Sequence, residues 1–354
     1  MTSRLNVVDL FCGCGGASLG LKSAGHRIIA AVDLDPIACK TYKENVGFDP
    51  IQADLRTLSG TEILAYYGIN KDEVDLLVGC PPCQGFSSLR RTSDPTGHDP
   101  RKSLVSVFLQ RIKELQPRAV IFENVSGIRG KIGIEYYTKF ICRMEKWGYK
   151  TNDGLINTAD YGIPQFRKRA IVLCTKGNKV PIIPHKTHNN PQKLKGNELP
   201  WKTVKDAIGD LPPLKPGESC SFIPNHYARN HLQKTLELID NIPKDGGSRK
   251  DLPKEMWLPC HLKLTEGAES VYGRMSWSKP SPTITCRCTT PSSGRFLHPE
   301  QNRVITIREA ARLQTFPDTV IFPNNLGWAE RLIGNAVPPA LIKQLSEVLE
   351  NSMD

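Results

Sequence analysis

Short unbroken apolar runs recur through the first half of the chain, each closed by a polar or turn-forming residue. Leu5–Phe11, Ile28–Asp33, a brief stretch near Ile51, Val74–Val78 and Arg118–Asn124 read as buried strands. Further strands are predicted near Lys150–Asn157 and Ala170–Cys174. Between and after them the apolar positions recur at helical spacing, predicting helices at Ser103–Leu115, Ile134–Trp147, His231–Ile239, Ile307–Thr315 and Ala329–Ile333. Gly334-Asn-Ala-Val-Pro-Pro339 opens a last helix, with Leu341, Leu345, Val348 and Leu349 as its stripe. Alternating strands and helices predict an α/β fold with an open sheet. From Val180 to about Gly217 the periodicity weakens, except at Val204–Ile208, and prolines, asparagines and lysines crowd in. That change predicts a second domain of irregular loops and short strands.

Most of the chemistry falls at strand ends. Val74-Asp-Leu-Leu-Val-Gly-Cys-Pro-Pro-Cys-Gln-Gly-Phe-Ser-Ser88 runs from a strand into two prolines, which cannot extend a ladder and which stiffen the approach to Cys83. A thiol so placed suggests a nucleophile, while Cys80-Pro-Pro-Cys83 also has zinc-ligand spacing and a buried structural thiol is common. Cys12-Gly-Cys-Gly-Gly16 makes a tight turn into a helix, where glycines permit close backbone approach to a ligand and the helix N-terminus adds partial positive charge. It is not the dinucleotide fingerprint, because Ser18 occupies the place of the third glycine. Asp33 stands twenty residues after Gly13, where an acid can accept from both ribose hydroxyls, and Asp54 ends the next strand. Solvated loop carboxylates are the plainer alternative for both.

Composition narrows the partners. The chain has 354 residues, 39% hydrophobic and 23% charged, ordinary for a soluble enzyme with a large core. Its formal charge of +11 favours a polyanion, with nucleic acid the first candidate. No apolar run approaches the roughly 18 residues of a membrane span, and no signal-peptide pattern opens the chain. The 11 cysteines follow no disulfide framework, so a reducing cytoplasm is expected. Gln84–Lys102, with Arg90, Arg91, Arg101 and Lys102, reads as a lid or binding loop. Glu123 and Asn124 end a strand, and Arg167 and Arg169 project together if they enter one, with a solvated basic edge as the alternative. Trp201, Trp257, Trp277 and Tyr272 sit among basic residues, suiting either nucleic-acid contact or a core.

Taken in order, these segments resemble the DNA (cytosine-5) methyltransferase family, in its prokaryotic modification form. Asp9-Leu-Phe-Cys-Gly-Cys-Gly-Gly16 is similar to its cofactor loop and Pro81-Pro-Cys-Gln-Gly-Phe-Ser87 to its nucleophile motif. Glu123-Asn-Val125, Gln165-x-Arg167-x-Arg169, Arg308-Glu-Ala-Ala-Arg-Leu-Gln-Thr-Phe-Pro317 and Gly334-Asn-Ala-Val337 match four more. The resemblance covers about 5 to 349, apart from a variable region near 181–275, and it displaces the zinc reading of Cys83.

The resemblance implies a Rossmann-like S-adenosylmethionine-dependent sheet with helices on both faces, formed by 1–180 and 326–354. A smaller, irregular, mainly β target-recognition domain is expected at 181–325. Cys83 is implied as nucleophile toward cytosine C6, Glu123 as the acid at the ring nitrogen, and Arg169 with Arg167 as holders of the carbonyl oxygen. S-adenosylmethionine is the implied cofactor, met by Phe11, Gly13, Gly15, Gly16, Asp33, Leu34, Asp54, Leu55, Pro82, Leu104 and Asn335; no metal is implied. Gln84, Ser87, Arg90, Arg91 and Arg101, with Arg229 and Arg274 from the variable region, are the expected DNA contacts. The expected partner of a monomeric enzyme is double-stranded DNA, with a restriction endonuclease encoded nearby as a further candidate. An RNA cytosine-5 methyltransferase and a non-catalytic DNA-binding module remain as alternatives.

Overall fold

The computed structural model describes residues 4–82, 103–262 and 270–353. Along the chain come β1 (Asn6–Leu10), α1 (Gly16–Ser23), β2 (Arg27–Asp33), α2 (Pro36–Val46), β3 (Ile51–Gln52), α3 (Gly60–Tyr67) and β4 (Leu76–Gly79). Then follow α4 (Leu104–Leu115), β5 (Ala119–Val125), α5 (Ile134–Lys146), β6 (Lys150–Asn157) and β7 (Lys168–Thr175). The remainder carries β8 (His188–Asn189), β9 (Leu199–Pro200), α6 (Val204–Ile208), α7 (Gln233–Asn241), α8 (Pro259–Leu262), α9 (Ile307–Leu313), α10 (Leu326–Asn335) and α11 (Pro339–Glu350). Among the described residues no helix is long and apolar enough to cross a membrane.

Contacts divide the chain into two compact units. The first comprises 1–157, 168–185 and 336–354, and the second 158–167 and 186–335. Relative to the division read from sequence, 158–167 and 326–335 group with the second unit. The cause is visible in the helices: Gly334 and Asn335 close α10 rather than opening the last helix, which starts at Pro339.

The first unit is built on a seven-stranded sheet of order β3-β2-β1-β4-β5-β7-β6. From β3 to β5 the pairing is parallel, and β7 and β6 join antiparallel. Strand order reverses between β1 and β4, and at such a switch point the crossovers leave on opposite faces and open a crevice at the carboxyl ends. One face packs Val8, Leu10, Leu77, Val120 and Phe122 under α3, α4 and α5, with the Phe122 and Phe140 rings stacked 4.5 Å apart. The period of two sends Val7 and Asp9 to the other face, and α11 packs beside α1 with its buried Leu341, Leu345 and Leu349. The sheet is thus the α/β frame that the sequence predicts.

The second unit holds a small apolar cluster of Leu238, Ile239, Ile242, Leu252, Tyr272, Leu297 and Val304. Regular strand is sparse, departing from the mainly β expectation: the described residues give one two-residue pair, β8 with β9, and isolated bridges. Buried arginines hold this irregular backbone instead. Arg303, fully buried, forms paired bonds of 2.8 and 2.7 Å to Glu309, whose carboxylate also accepts from Thr306 N at the start of α9. Burial opposes that charge, but Arg303 prevails and holds Glu309 down at about 2.

His298 lies against the same cluster. Its Nδ1 accepts from the backbone N–H groups of Glu300 and Gln301, and burial pushes its pKa down to about 4. An unfolded histidine takes a proton near pH 6.5, so between that value and about 4 the unfolded state binds the extra proton. Stability contributed here is complete above pH 6.5 and is lost as pH falls through this window. Urea unfolding midpoints are expected to drop between pH 6.5 and 4, and to drop less in His298→Asn, whose Oδ1 replaces the Nδ1 acceptor without titrating.

Candidate active site

The carboxyl ends of β3, β2, β1 and β4 lie along one edge because these strands are parallel. That edge brings together Asp54 and Leu55, Asp33 and Leu34, Phe11 to Gly16, and Pro82. The first turn of α4, with Leu104, also belongs there, since a crossover helix starts where its strand ends.

Phe11, Gly13 and Gly15 all take positive φ, at 59°, 55° and 93°, turning the chain sharply from β1 into α1. A Cβ placed on Gly13 would have nothing within 4 Å, and Gly15 caps α1 with no side-chain bond to its N-terminal amides. Open space above a glycine loop at an uncapped helix start suits a ligand that approaches backbone closely. Asp33 fixes this loop: its Oδ2 accepts from Gly13 N at 2.8 Å and its Oδ1 from Asp35 N at 2.9 Å. Burial raises the Asp33 carboxyl above its usual range, and these N–H bonds pull it partly back. Phe11 sits edge-on to Phe108 at 6.4 Å, Leu34 is 58% exposed, and Leu55 is buried. Asp54 is engaged by Arg56 through bonds of 2.8 and 2.5 Å to one oxygen, which hold it below the usual carboxylate range. The Cys12 and Cys14 thiols are buried and pushed up by that burial, Cys14 to about 12, so neither is a thiolate near neutral pH.

Beyond β4 the described chain ends at Pro82; Cys83, Gln84, Ser87, Arg90, Arg91 and Arg101 lie outside the described residues. The approach to Cys83 is nevertheless anchored. Asn124, fully buried at the end of β5, donates its Nδ2 to the Pro81 carbonyl at 3.1 Å, while its Oδ1 accepts from Val125 N. In sequence Asn124 stands out as a strand-end residue and as the middle of Glu123-Asn-Val125, but neither shows its bond to Pro81. Glu123 precedes it, and Arg169 enters β7 opposite Val125. Glu123 is opposite Ile171, so Arg169 is its diagonal neighbour on the same face. Their Nε and Oε1 atoms stand 2.8 Å apart, with 11% and 8% of the side chains exposed.

Arg167 does something else. It is buried in the second unit, and its guanidinium donates to the carbonyls of Ile284 at 3.3 Å and Gly334 at 3.4 Å. Among the described residues its terminal nitrogens thus serve backbone carbonyls of the second unit, which gives Arg167 a structural task beside the one expected of it with Arg169. Asn335, next to Gly334, accepts from the Cys286 thiol at 3.0 Å within the second unit.

Comparison with known proteins fits this geometry. Residues 5–351 match the family model for C-5 cytosine-specific DNA methylases. The chain belongs to that family. It is 36% identical to the Type II methylase M.HgiDII of Herpetosiphon aurantiacus, over 98% of this chain and 96% of the relative. It is 35% identical to the Type II methyltransferase M1.HphI of Haemophilus parahaemolyticus, over 98% and 86%. Among solved structures, a putative DNA modification methyltransferase encoded within an E. coli prophage aligns with a TM-score of 0.73 at 25% identity, covering 99% of both chains. The chain is thus a DNA cytosine-5 methyltransferase with the fold of the S-adenosylmethionine-dependent enzymes.

Within this methyltransferase the expected DNA contacts in the second unit separate. Arg274 is fully buried, donating to the carbonyls of Ile239, Ile242, His298 and Gln301 and to Asn302. Its base-reading role is corrected, because none of its donors is left for a base. Arg229 is only half-buried and bonds Thr290 at 3.3 Å. Trp201 donates to Asp160, Trp257 donates to the Leu252 carbonyl beneath Arg249, and Trp277 lies edge-on to His298, so these aromatics pack within the unit.

Arg167→Met withdraws donors from two buried carbonyls, which is expected to cost roughly 1–3 kcal/mol of stability. Urea unfolding of the purified variant measures this; an unchanged midpoint with lost activity would return Arg167 to the chemistry.

Proposed function

We propose that this enzyme transfers a methyl group to C5 of a cytosine turned out of double-stranded DNA, through a covalent bond between Cys83 and C6. The observation that carries this reading is the Asn124 clamp on Pro81 beside the Glu123–Arg169 pair. It sets an acid and a guanidinium at the strand ends from which the chain leads to Cys83.

Cytosine C5 is too weak a nucleophile to take a methyl group unaided. Addition of the Cys83 thiolate at C6 moves electron density to C5, and the ring nitrogen takes a proton from Glu123 as the C6–S bond forms. Arg169, a rigid donor that stays charged, holds the carbonyl oxygen of the base. S-adenosylmethionine, when bound, supplies the electrophilic methyl group. Asp33 would hold its ribose, Phe11 its adenine and the Gly13–Gly16 backbone its methionine part. Water then takes the C5 proton, the C6–S bond breaks, Cys83 leaves as thiolate and the ring nitrogen returns its proton to Glu123.

A stacked base cannot reach these groups, so the cytosine is extruded at a cost of a few kcal/mol. Residues 84–102 would close over it, with Arg90, Arg91 and Arg101 on phosphates. The second unit is assigned to target recognition, with Arg229 retained as a candidate reader. The Type II names of the relatives support a modification role with a cognate endonuclease.

Bisulfite sequencing of a duplex pool treated with the purified protein and S-adenosylmethionine tests the activity. Cys83→Ser is expected to abolish methylation, and wild type to form a denaturation-resistant adduct with 5-fluorocytosine duplexes. Absence of the adduct on the methylated sequence would remove Cys83 as nucleophile, and methylation of RNA alone would overturn the substrate. Asp33→Ala is expected to weaken S-adenosylmethionine binding about 10- to 100-fold, the worth of charge-assisted bonds of roughly 1.5–3 kcal/mol. Calorimetry reads it, and an unchanged affinity would move the cofactor away from β2.

A further inference from the structure

Beneath the glycine loop runs a buried polar chain that the proposed chemistry does not use. Asp9, the fourth residue of β1, is 1% exposed, and its Oδ2 accepts from the Ser18 hydroxyl at 2.6 Å. Ser18, fully buried in the first turn of α1, also stands 2.6 Å from the Tyr42 hydroxyl. Tyr42 comes from α2 and is itself fully buried. Serine has one hydroxyl hydrogen, which goes to Asp9, so Tyr42 must donate to the Ser18 oxygen. The order Tyr42 to Ser18 to Asp9 is therefore fixed for as long as Asp9 is ionised.

What this chain supports is the turn at Phe11–Gly16. Phe11 holds a positive φ that a side chain of its kind rarely adopts, a conformation that persists only where its surroundings impose it. On one side the turn is tied by Gly13 N to Asp33. On the other, Asp9 and Ser18 join the strand before the turn to the helix after it. The Tyr42 ring lies 3.2 Å from where a Cβ of Gly15 would stand, so the same side chain that closes the polar chain also floors the loop.

We propose that Ser18 and Tyr42, linked to Asp9, are positioning residues that hold the Phe11–Gly16 loop in its cofactor-binding shape. The proposal rests on the function proposed above only for the identity of the ligand. Burial, with Asp33 across the loop adding to it, raises Asp9 to about 7, and the Ser18 hydroxyl pulls against that rise. The other titratable groups facing it, the Cys12 thiol and the Tyr42 phenol, are kept neutral by burial. The carboxylate thus gains its charge near neutral pH, beneath a loop whose ligand carries sulfonium and ammonium groups. A cationic ligand favours the ionised chain, so affinity contributed by Asp9 grows as pH rises from 6 to 8.

The test measures S-adenosylmethionine affinity by calorimetry at pH 6 and 8, and hydrogen exchange at 12–19 without ligand. Loss of both buried hydrogen bonds of the Ser18 hydroxyl in Ser18→Ala is expected to weaken binding at least about 10-fold and to speed exchange in the loop. Tyr42→Phe is expected to act in the same direction. Asp9→Asn, which can still accept from Ser18, is expected to recover most of the affinity lost in Asp9→Ala while flattening the pH dependence. The amine of the ligand titrates alike with every variant, so the difference in slope belongs to Asp9. Ser18→Ala with lowered stability but wild-type affinity and loop exchange overturns the proposal, as does Asp9→Asn with the wild-type slope. If Asp33→Ala loses affinity while Ser18→Ala does not, the functional reading stands and this one falls. A wild-type protein that binds no S-adenosylmethionine overturns both.

Discussion

Parallel pairing is the constraint from which the rest of the first unit follows. Parallel neighbours must be joined by a crossover, so every strand from β1 to β5 ends at the same edge of the sheet. Asp33, Glu123, Asn124 and the approach to Cys83 lie along one edge for that reason, though they are far apart in sequence. The antiparallel strand β7 completes the set by the same geometry. A strand running the other way begins where its parallel neighbour ends, so its second residue, Arg169, arrives beside Glu123. One guanidinium is delivered to the site by reversing one strand.

The second unit solves a different problem. Irregular backbone buries carbonyls that no ladder satisfies, and each needs a donor. Guanidinium offers five in a rigid fork, and Arg167, Arg274, Arg303 and Arg308 are all buried against main-chain oxygen. Arg308 alone spans Pro224, Pro317 and Val320. Burial makes such charges costly and pulls Arg274 down to about 10, yet five partners surround it. Removing one of these arginines strands several carbonyls at once, so the unit relies on few residues for much of its order.

Strand ends were legible because an apolar run followed by an acid has few other meanings in an open sheet. Asp33 and Glu123 emerge where that pattern puts them. The arginines were not legible, because a guanidinium aimed at guanine and one aimed at a peptide carbonyl use the same donors and leave the same trace in sequence. Arg274 and Arg167 were assigned outward-looking work for that reason; all three are buried, and the partner is what separates them, backbone carbonyls for these two and the Glu123 carboxylate for Arg169. Tryptophans among lysines left both nucleic-acid contact and a core open for the same reason. The Asn124 clamp and the Asp9 chain escaped notice because their partners, Pro81, Ser18 and Tyr42, are ordinary residues until the fold brings them within reach.

The main chain passes between the two units four times, at 157/158, 167/168, 185/186 and 335/336. The short excursion at 158–167 is not a linker. Gln165 exchanges hydrogen bonds with Ile284 and Gln314, and Arg167 holds Ile284 and Gly334. Replacing a single segment between about 181 and 326 would therefore cut through an integrated unit, separating this decapeptide from its hydrogen-bond partners. An exchange of the second unit between related chains has to carry ten residues from between β6 and β7 along with 186–335, so the unit moves as two pieces that travel together.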